Sequence, residues 1–483
     1  MKVLLMVPLT SLMKNHPDIP DLGLGYLATG VRKEGFEVDI LGWNHHLRIE
    51  RFREYLRITQ PSVVGIKVFT YNINAAVETV SIIKSVNSCI VTVIGGPHPS
   101  ANNPTETMDD FNEVDFAFRG DAEIGFPSLV KELSKKGSDH QDNALDQAAL
   151  REIPGLIWRK NGTVHANPPH FPDDLDTLGL PSWDLIDPKD YHPYRIDESD
   201  TQGHVAPIMT TRGCPLSCTY CSVNLVNGRV IRRRSVGSVI EEMSLLHNRY
   251  NVRQIFIMDT NFLSDKEYVK ELCNAIIEKG LHIKWDCICE TLKRSFYDDE
   301  ILSLMYRAGC RKIIMGIESG SNKILRVIKK EWNKEQFSDL VGLIKSHAIQ
   351  VHGYFMYGFP YETAKDMKDT RDFAFTVDFD RRFFNVCYPL PGTEIYEFLK
   401  RKYRVEKLDW RKFTVERSPY PIGDVSSREI IKFLRRTELR NLLHSSTIYK
   451  DFHKKEFLSN FAKIVLKLVL IYLFQYSRQI RQC

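Results

Sequence analysis

Two hydrophobic periods interleave along most of this chain. Up to about residue 135, short apolar runs at Val3–Val7, Glu37–Leu41, Ser62–Val68, Ile90–Ile94 and Val114–Phe118 read as buried strands. Between them, residues 22–35, Leu47–Ile58, Tyr71–Val86 and Phe126–Leu133 carry helical spacing. Gly35 closes the first helix, Pro61 precedes the third strand, and Gly95-Gly96-Pro97-His98-Pro99 stops the fourth. Strands alternating with helices of this length predict an α/β fold with a doubly wound, Rossmann-like parallel sheet. Such sheets bind ligands at the carboxyl ends of their strands.

Residues 134–150 are polar and weakly patterned, as a surface insertion is. Residues 151–200 are rich in Pro and Asp, and the whole span 136–200 reads as a linker between domains. A second alternating series fills 201–400. Its strands fall at Val205–Thr210, Gln254–Met258, Ile283–Ile288, Lys312–Gly316, Gln350–Met356 and Phe383–Tyr388. Its helices fall at Val239–Tyr250, Lys266–Lys279, Asp298–Ala308, Asn322–Ile328, Lys334–His347 and Thr363–Thr376. Six such units predict a partial (β/α)6 TIM-like barrel, with its active site at the C-terminal ends of the strands. Residues 401–483 read as a charged, helical C-terminal region. Within it Ile464–Phe474 is apolar but interrupted by Lys467 and too short to span a bilayer. Two readings stand: an interfacial helix on an anionic membrane surface, or a helix docked on the core or on a partner subunit.

Composition adds little beyond size. A chain of 483 residues, 43% hydrophobic and 26% charged, fits two or three domains with sizeable cores. A net charge of +5 is small for this length and does not by itself imply a nucleic-acid binder. The opening M-K-V-L-L-M-V-P lacks a secretory signal core. The ten cysteines, apart from one cluster, show no disulfide framework. Both point to a reducing, cytoplasmic compartment, with peripheral contact at the inner membrane face if the last helix lies on lipid. Cys273, Cys287, Cys289, Cys310 and Cys387 read as core residues.

The cysteine cluster changes the picture. Cys214, Cys218 and Cys221 lie in T-T-R-G-C-P-L-S-C-T-Y-C-S, directly after the first strand of the second series. Three thiolates on one short loop hold three corners of a 4Fe-4S cubane, whose usual complement is four cysteines, and leave one iron open to a small molecule. The competing reading is zinc with a distant fourth ligand. Structural zinc sites usually use paired C-x-x-C units, and no second pair occurs here.

Around this loop the chain resembles the radical S-adenosylmethionine enzymes that carry an N-terminal cobalamin-binding domain. Beyond the cysteine loop, the resemblance rests on Arg232-Arg233-Arg234-Ser235, F-I-M-D-T-N-F (256–262), M-G-I-E-S-G-S (315–321), Y-G-F-P-Y-E-T (357–363) and P-L-P-G-T-E-I-Y (389–396). It covers nearly all of residues 1–400. It implies that the open iron is chelated by S-adenosylmethionine, and that one electron breaks the sulfonium bond. The resulting 5′-deoxyadenosyl radical then takes a hydrogen from the substrate.

By the same resemblance, Tyr220 packs near the adenine, and Asp259 and Asn261 reach the amino group or the substrate. Glu318 and Ser319 meet the ribose or methionyl group, and Gly358, Phe359 and Pro360 shape the adenine pocket. A helix cap or solvated loop charge is the plainer role for Asp259 and Glu318. In the first domain Thr70, Gly95, Gly96 and His98 stand where the family binds cobalamin. Arg119-Gly120-Asp121-Ala122-Glu123 resembles the family's R-G-E/D-x-E segment. The D-x-H-x-x-G motif that supplies a lower cobalt ligand is absent.

The implied activity is methylation of an unactivated carbon of a small molecule, such as a lipid or natural-product intermediate. A flavodoxin or ferredoxin would be the electron donor. Alternatives are a non-methylating cyclase, rearrangement or C–C bond-forming enzyme, a methylthio-type RNA-modifying enzyme, and a nonenzymatic electron carrier. The basic run R-V-I-R-R-R (229–234) lacks aromatic interleaving, which favours a structural or substrate-carboxylate role over nucleic acid.

Overall fold

In β1 (Lys2–Met6) the residues Val3, Leu4, Leu5 and Met6 are all buried, as a strand covered on both faces requires. It pairs in parallel with β2 (Glu37–Leu41) on one side and β3 (Val63–Lys67) on the other. β4 (Val91–Gly95) and β5 (Phe116–Phe118) continue the parallel sheet. Two more strands, β6 (Leu156–Lys160) and β7 (Thr163–Ala166), then add antiparallel, giving the order β2-β1-β3-β4-β5-β6-β7. The computed structural model describes residues 1–13, 18–135, 146–193, 196, 202–290, 296–330, 332, 334–410 and 422–444. The core of the polar insertion (136–145) and the apolar segment Ile464–Phe474 lie outside these residues. No described helix is long and apolar enough to cross a membrane.

The β6–β7 hairpin corrects the linker reading of 136–200. Leu156, Ile157 and Trp158 are buried against the sheet edge. Asn161 and Gly162 take φ of 49° and 77°, the left-handed pair of a tight hairpin turn. That Asn-Gly signal was present in the chain and was hidden by the surrounding Pro and Asp.

The second sheet is wholly parallel. It runs from β8 (His204–Ile208), whose chain continues into two-residue β9 (Thr211–Arg212), paired antiparallel with β10 (Arg232–Arg233). Next come β11 (Val252–Ile257), β12 (Lys284–Cys289), β13 (Cys310–Glu318), β14 (Gln350–Tyr357) and β15 (Arg381–Val386). The order β15-β14-β13-β12-β11-β8 is the expected half-barrel. Strand boundaries in both series lie within two residues of the sequence reading. Helix Val236–Arg249 is capped by the Ser235 side chain, which accepts from the Ser238 N–H. One continuous apolar core spans the two sheets and includes Trp183, whose indole donates to the buried Glu242 at 3.0 Å.

Candidate active site

The loop bearing the three cysteines is built from its ends inward. Gly213 has φ 99°, and a Cβ there would lie 2.0 Å from the Val230 carbonyl oxygen, so only glycine closes this turn. The Cys214 N–H donates to the Gly228 carbonyl at 3.1 Å, and the Thr219 N–H to that of Ile328 at 3.2 Å. Beneath the loop's entry, Asp259 is fully buried. It accepts from the Thr210 N–H at 2.7 Å, from the Thr211 hydroxyl at 2.9 Å, and from the Thr210 hydroxyl. Asp259 was expected to reach a ligand or the substrate. Its carboxylate is instead taken up in clamping the strand end that leads into the cysteines.

Burial raises all three thiol pKa values, that of Cys221 to about 12. The thiols also raise one another, so they stand together. Beside them lies a charged trio. Glu318 ends β13 with φ 68°, beyond a register shift after Gly316. Its Oε1 lies 3.3 Å from Lys330 Nζ, and Lys330 also pairs with Glu290, just past β12. A Cβ on Gly316 would lie 2.5 Å from Glu290 Oε1 and 3.0 Å from Lys330 Nζ, so glycine leaves the space the trio occupies. Glu290 and Lys330 were missed from sequence. Glu290 stands at a strand end like Glu318, and that position was its available signal; Lys330 follows a helix and carries none.

Tyr220 packs edge-on against Phe359, ring centroids 5.7 Å apart. The Gly358-Phe359-Pro360 turn is held by Glu362, which accepts from both the Gly358 and Phe359 N–H groups. Burial pushes the Glu362 carboxyl up to about 8. Asn261 accepts from the Glu290 N–H at 3.3 Å, on the same rim. Ser319, expected to meet a ligand, is fully buried. Its hydroxyl bonds Thr370 at 2.9 Å and the Ser321 N–H at 3.1 Å, holding a turn.

A cavity of about 500 Å³ opens between the carboxyl edge of the first sheet and the start of the second. Gly95, Gly96 and Phe118 line it from one side, and Ser222, Val223, Val226 and Met258 from the cysteine-loop side. A Cβ on Gly95 would find nothing nearer than Phe118 Cβ at 3.9 Å. Thr70 and His98, expected at this site, are not among its lining residues. They bond each other at 3.2 Å, and the His98 ring meets Trp410 edge-on. Burial lowers the His98 pKa to about 3. No described lining residue is a histidine.

Ion pairs join the two halves at the same place. Arg212 reaches Asp121 at 3.2 Å and Glu123 at 2.8 Å, and Arg232 reaches Asp121 at 2.8 Å. Arg234 pairs with Glu242. Arg232 and Arg234, in the basic run, are thus spent inside the protein.

Both halves of the chain match known protein families. Residues 208–374 match the Radical SAM superfamily, and residues 12–130 match the B12 binding domain. The chain is 32% identical over 455 residues to an uncharacterized methyltransferase of Pyrococcus horikoshii, covering 93% of this chain and 94% of that one.

The chain belongs to the radical SAM superfamily and carries a B12 binding domain.

A second relative, the cytidylyl-2-hydroxyethylphosphonate methyltransferase of Streptomyces wedmorensis, is 29% identical over 448 residues, covering 82% and 80% of the two chains. Among solved structures, the radical S-adenosylmethionine methyltransferase TsrM of Kitasatospora setae, with cobalamin and a 4Fe-4S cluster bound, aligns with a TM-score of 0.64 at 20% identity. That alignment covers 83% of this chain and 78% of TsrM. The cobalamin-dependent enzyme OxsB aligns with a TM-score of 0.70 at 17% identity over 96% of this chain and 70% of its own. These two share the fold.

Membership brings a 4Fe-4S cluster, S-adenosylmethionine and cobalamin, and the residues present fit them. The largely apolar cavity, with Gly95 leaving its backbone accessible beside Phe118, suits a broad flat ligand.

Proposed function

We propose that this radical SAM enzyme methylates a carbon of a small molecule, with a lipid or natural-product intermediate as the substrate class. One observation carries the reading: a single apolar cavity is lined both by the B12-domain strand ends and by the cysteine-loop side of the half-barrel. When bound, the cluster supplies the electron that cleaves S-adenosylmethionine, and the cobalamin supplies the methyl group. Cys214, Cys218 and Cys221 hold the cluster. Tyr220 and Phe359 wall the adenine. Glu290 and Glu318 outnumber Lys330, so one carboxylate is left to accept from the amino group of a bound methionyl end. Gly95 would let the corrin approach the backbone, while Gly96 is needed for its φ of 100° and its packing against Val68, and the apolar walls would exclude water from the reacting groups.

The test is anaerobic reconstitution with both cofactors and methyl-deuterated S-adenosylmethionine, followed by mass spectrometry of product from candidate extracts. Transfer of the intact deuteromethyl group supports methylation. Formation of 5′-deoxyadenosine with product that never carries label would replace methylation by a cyclase or rearrangement. Absence of both a cluster and S-adenosylmethionine cleavage would sink the whole reading.

A further inference from the structure

The strands of the half-barrel turn alternate residues to opposite sides. Ile255, Trp285, Ile313, Val351 and Phe384 belong to the main apolar core, so their neighbours in sequence face the hollow of the half-barrel. Lys312 marks that side: its Nζ pairs with Asp286 at 2.7 Å and lies 5.8 Å from the Phe256 ring centre. Pro207, Met209 and Met258 follow the same alternation and line the cavity shared with the first sheet. The inner face of the half-barrel thus runs on from that cavity. Resting on the proposed methylation of a small molecule, we infer that this face selects an uncharged substrate with an apolar body and a hydroxyl group, and that Tyr354 and Asn385 are the residues that recognise the hydroxyl.

The wall is apolar and left open. Met258 is 40% exposed, and Ile288, Ile314 and Met356 are half-buried. Apolar surface kept uncovered inside a fold marks a binding face. Two uncharged polar groups stand in it. The Tyr354 ring stacks on Phe383, centroids 4.7 Å apart, and the β14–β15 register sets Met356 beside the exposed Asn385. The hydroxyl and the amide are therefore diagonal neighbours on one face, and neither has a hydrogen-bond partner among the described residues. Burial and the nearby Asp286 raise the Tyr354 pKa, so the phenol keeps its proton and can donate. The charges on this face are otherwise engaged or set apart. Asp286 takes Lys312 one layer down, and Glu290 and Glu318 take Lys330 at the rim. Lys284 and Arg381 stand at the amino ends of their strands, away from the cysteines. His352 is neutral, because burial and Lys312 lower its pKa to about 3. A carboxylate or phosphate brought against this wall would lose water without gaining a counter-charge, whereas a hydroxyl is satisfied by two neutral partners. A site built to bond a hydroxyl also rejects analogues that lack one.

The experiment uses the full chain with cluster, cobalamin and S-adenosylmethionine bound, anaerobically and without reductant. Three alcohols of different shape, farnesol, cyclododecanol and 2-naphthol, are each compared with the matched carboxylate by equilibrium dialysis. At least one alcohol should bind about tenfold or more tightly than its carboxylate, since the wall offers no free cation. Tyr354→Phe and Asn385→Leu should each weaken that alcohol about three- to tenfold, the worth of one neutral hydrogen bond, and leave carboxylate binding within about twofold. A structural disturbance would lower both ligands alike and would show in the cluster and cobalamin absorbance. If Asn385→Leu disturbs β15 in this way, Tyr354→Phe, which keeps the ring stack, decides. The inference is overturned if no alcohol outbinds its carboxylate, or if neither variant narrows the difference. Dialysis needs no turnover, so the selectivity is decided even where labelled S-adenosylmethionine delivers no methyl group. Methyl transfer without this selectivity would leave the functional reading standing and remove only the inference.

Discussion

Glu123 Oε1 lies 2.8 Å from Arg212 Nη2, and through this pair the first sheet grips the loop that carries the cysteines. Asp121 adds a second carboxylate to Arg212 and also takes Arg232. Four charges are buried as a neutral set, placed where the cavity is lined by both domains. Removing one member leaves an uncompensated charge in a dry site, which costs more than the intact pair contributes. Arg212→Gln should therefore lower stability by about 3–5 kcal/mol in urea unfolding. Arg212→Lys should recover only part of that, because a single ammonium lacks the planar fork whose Nη1 and Nη2 reach Asp121 and Glu123 separately.

Lys330 holds Glu290 and Glu318 together beside the cysteines. Lys330→Met should cost about 3–5 kcal/mol, measured by denaturant, since two buried carboxylates lose their counter-charge. Adding Glu290→Gln to Lys330→Met should restore part of the loss. A double-mutant cycle with zero coupling would show that the trio is not an energetic unit.

Gly95 lines the cavity, and a Cβ there would meet only Phe118 Cβ at 3.9 Å, which offers a selective block. Gly95→Phe should weaken cobalamin binding more than tenfold, read from the visible spectrum after desalting, because it fills space a flat ligand needs. Cluster content and S-adenosylmethionine cleavage should persist, since none of the three cysteines lines this cavity. Undiminished cobalamin retention would remove the corrin from this cavity.

Glu362 makes stability depend on pH. Its carboxyl titrates near 8 in the folded chain, up from the ordinary 4.5, because burial penalises the charged form. The folded state thus binds the proton more tightly, so this contribution is complete below about pH 4.5 and is lost as pH rises through about 8. Glu362→Gln keeps an acceptor for the Gly358 and Phe359 N–H groups and cannot ionise. Its stability should fall less steeply than wild type between pH 5 and 8; parallel curves would refute the assignment.

Much of this was legible in the chain itself. Apolar runs of strand length between helical stretches determined the parallel strands of both sheets, because a strand buried on both faces has little choice of residue type. The C-x-x-x-C-x-x-C spacing determined the cluster loop, because three ligands within eight residues need no tertiary contact to find each other. The tertiary structure decided what depends on distant partners. Asp259 and Ser319 looked like ligand residues at strand ends, yet Thr210, Thr211 and Thr370 claim them. His98 looked like a cofactor neighbour and is turned under Trp410. Glu290 and Lys330, 40 residues apart, became a site only when β12 and β13 brought them together. A side chain's role at such a rim is set by which polar groups the fold brings within hydrogen-bond reach. No local pattern encodes that.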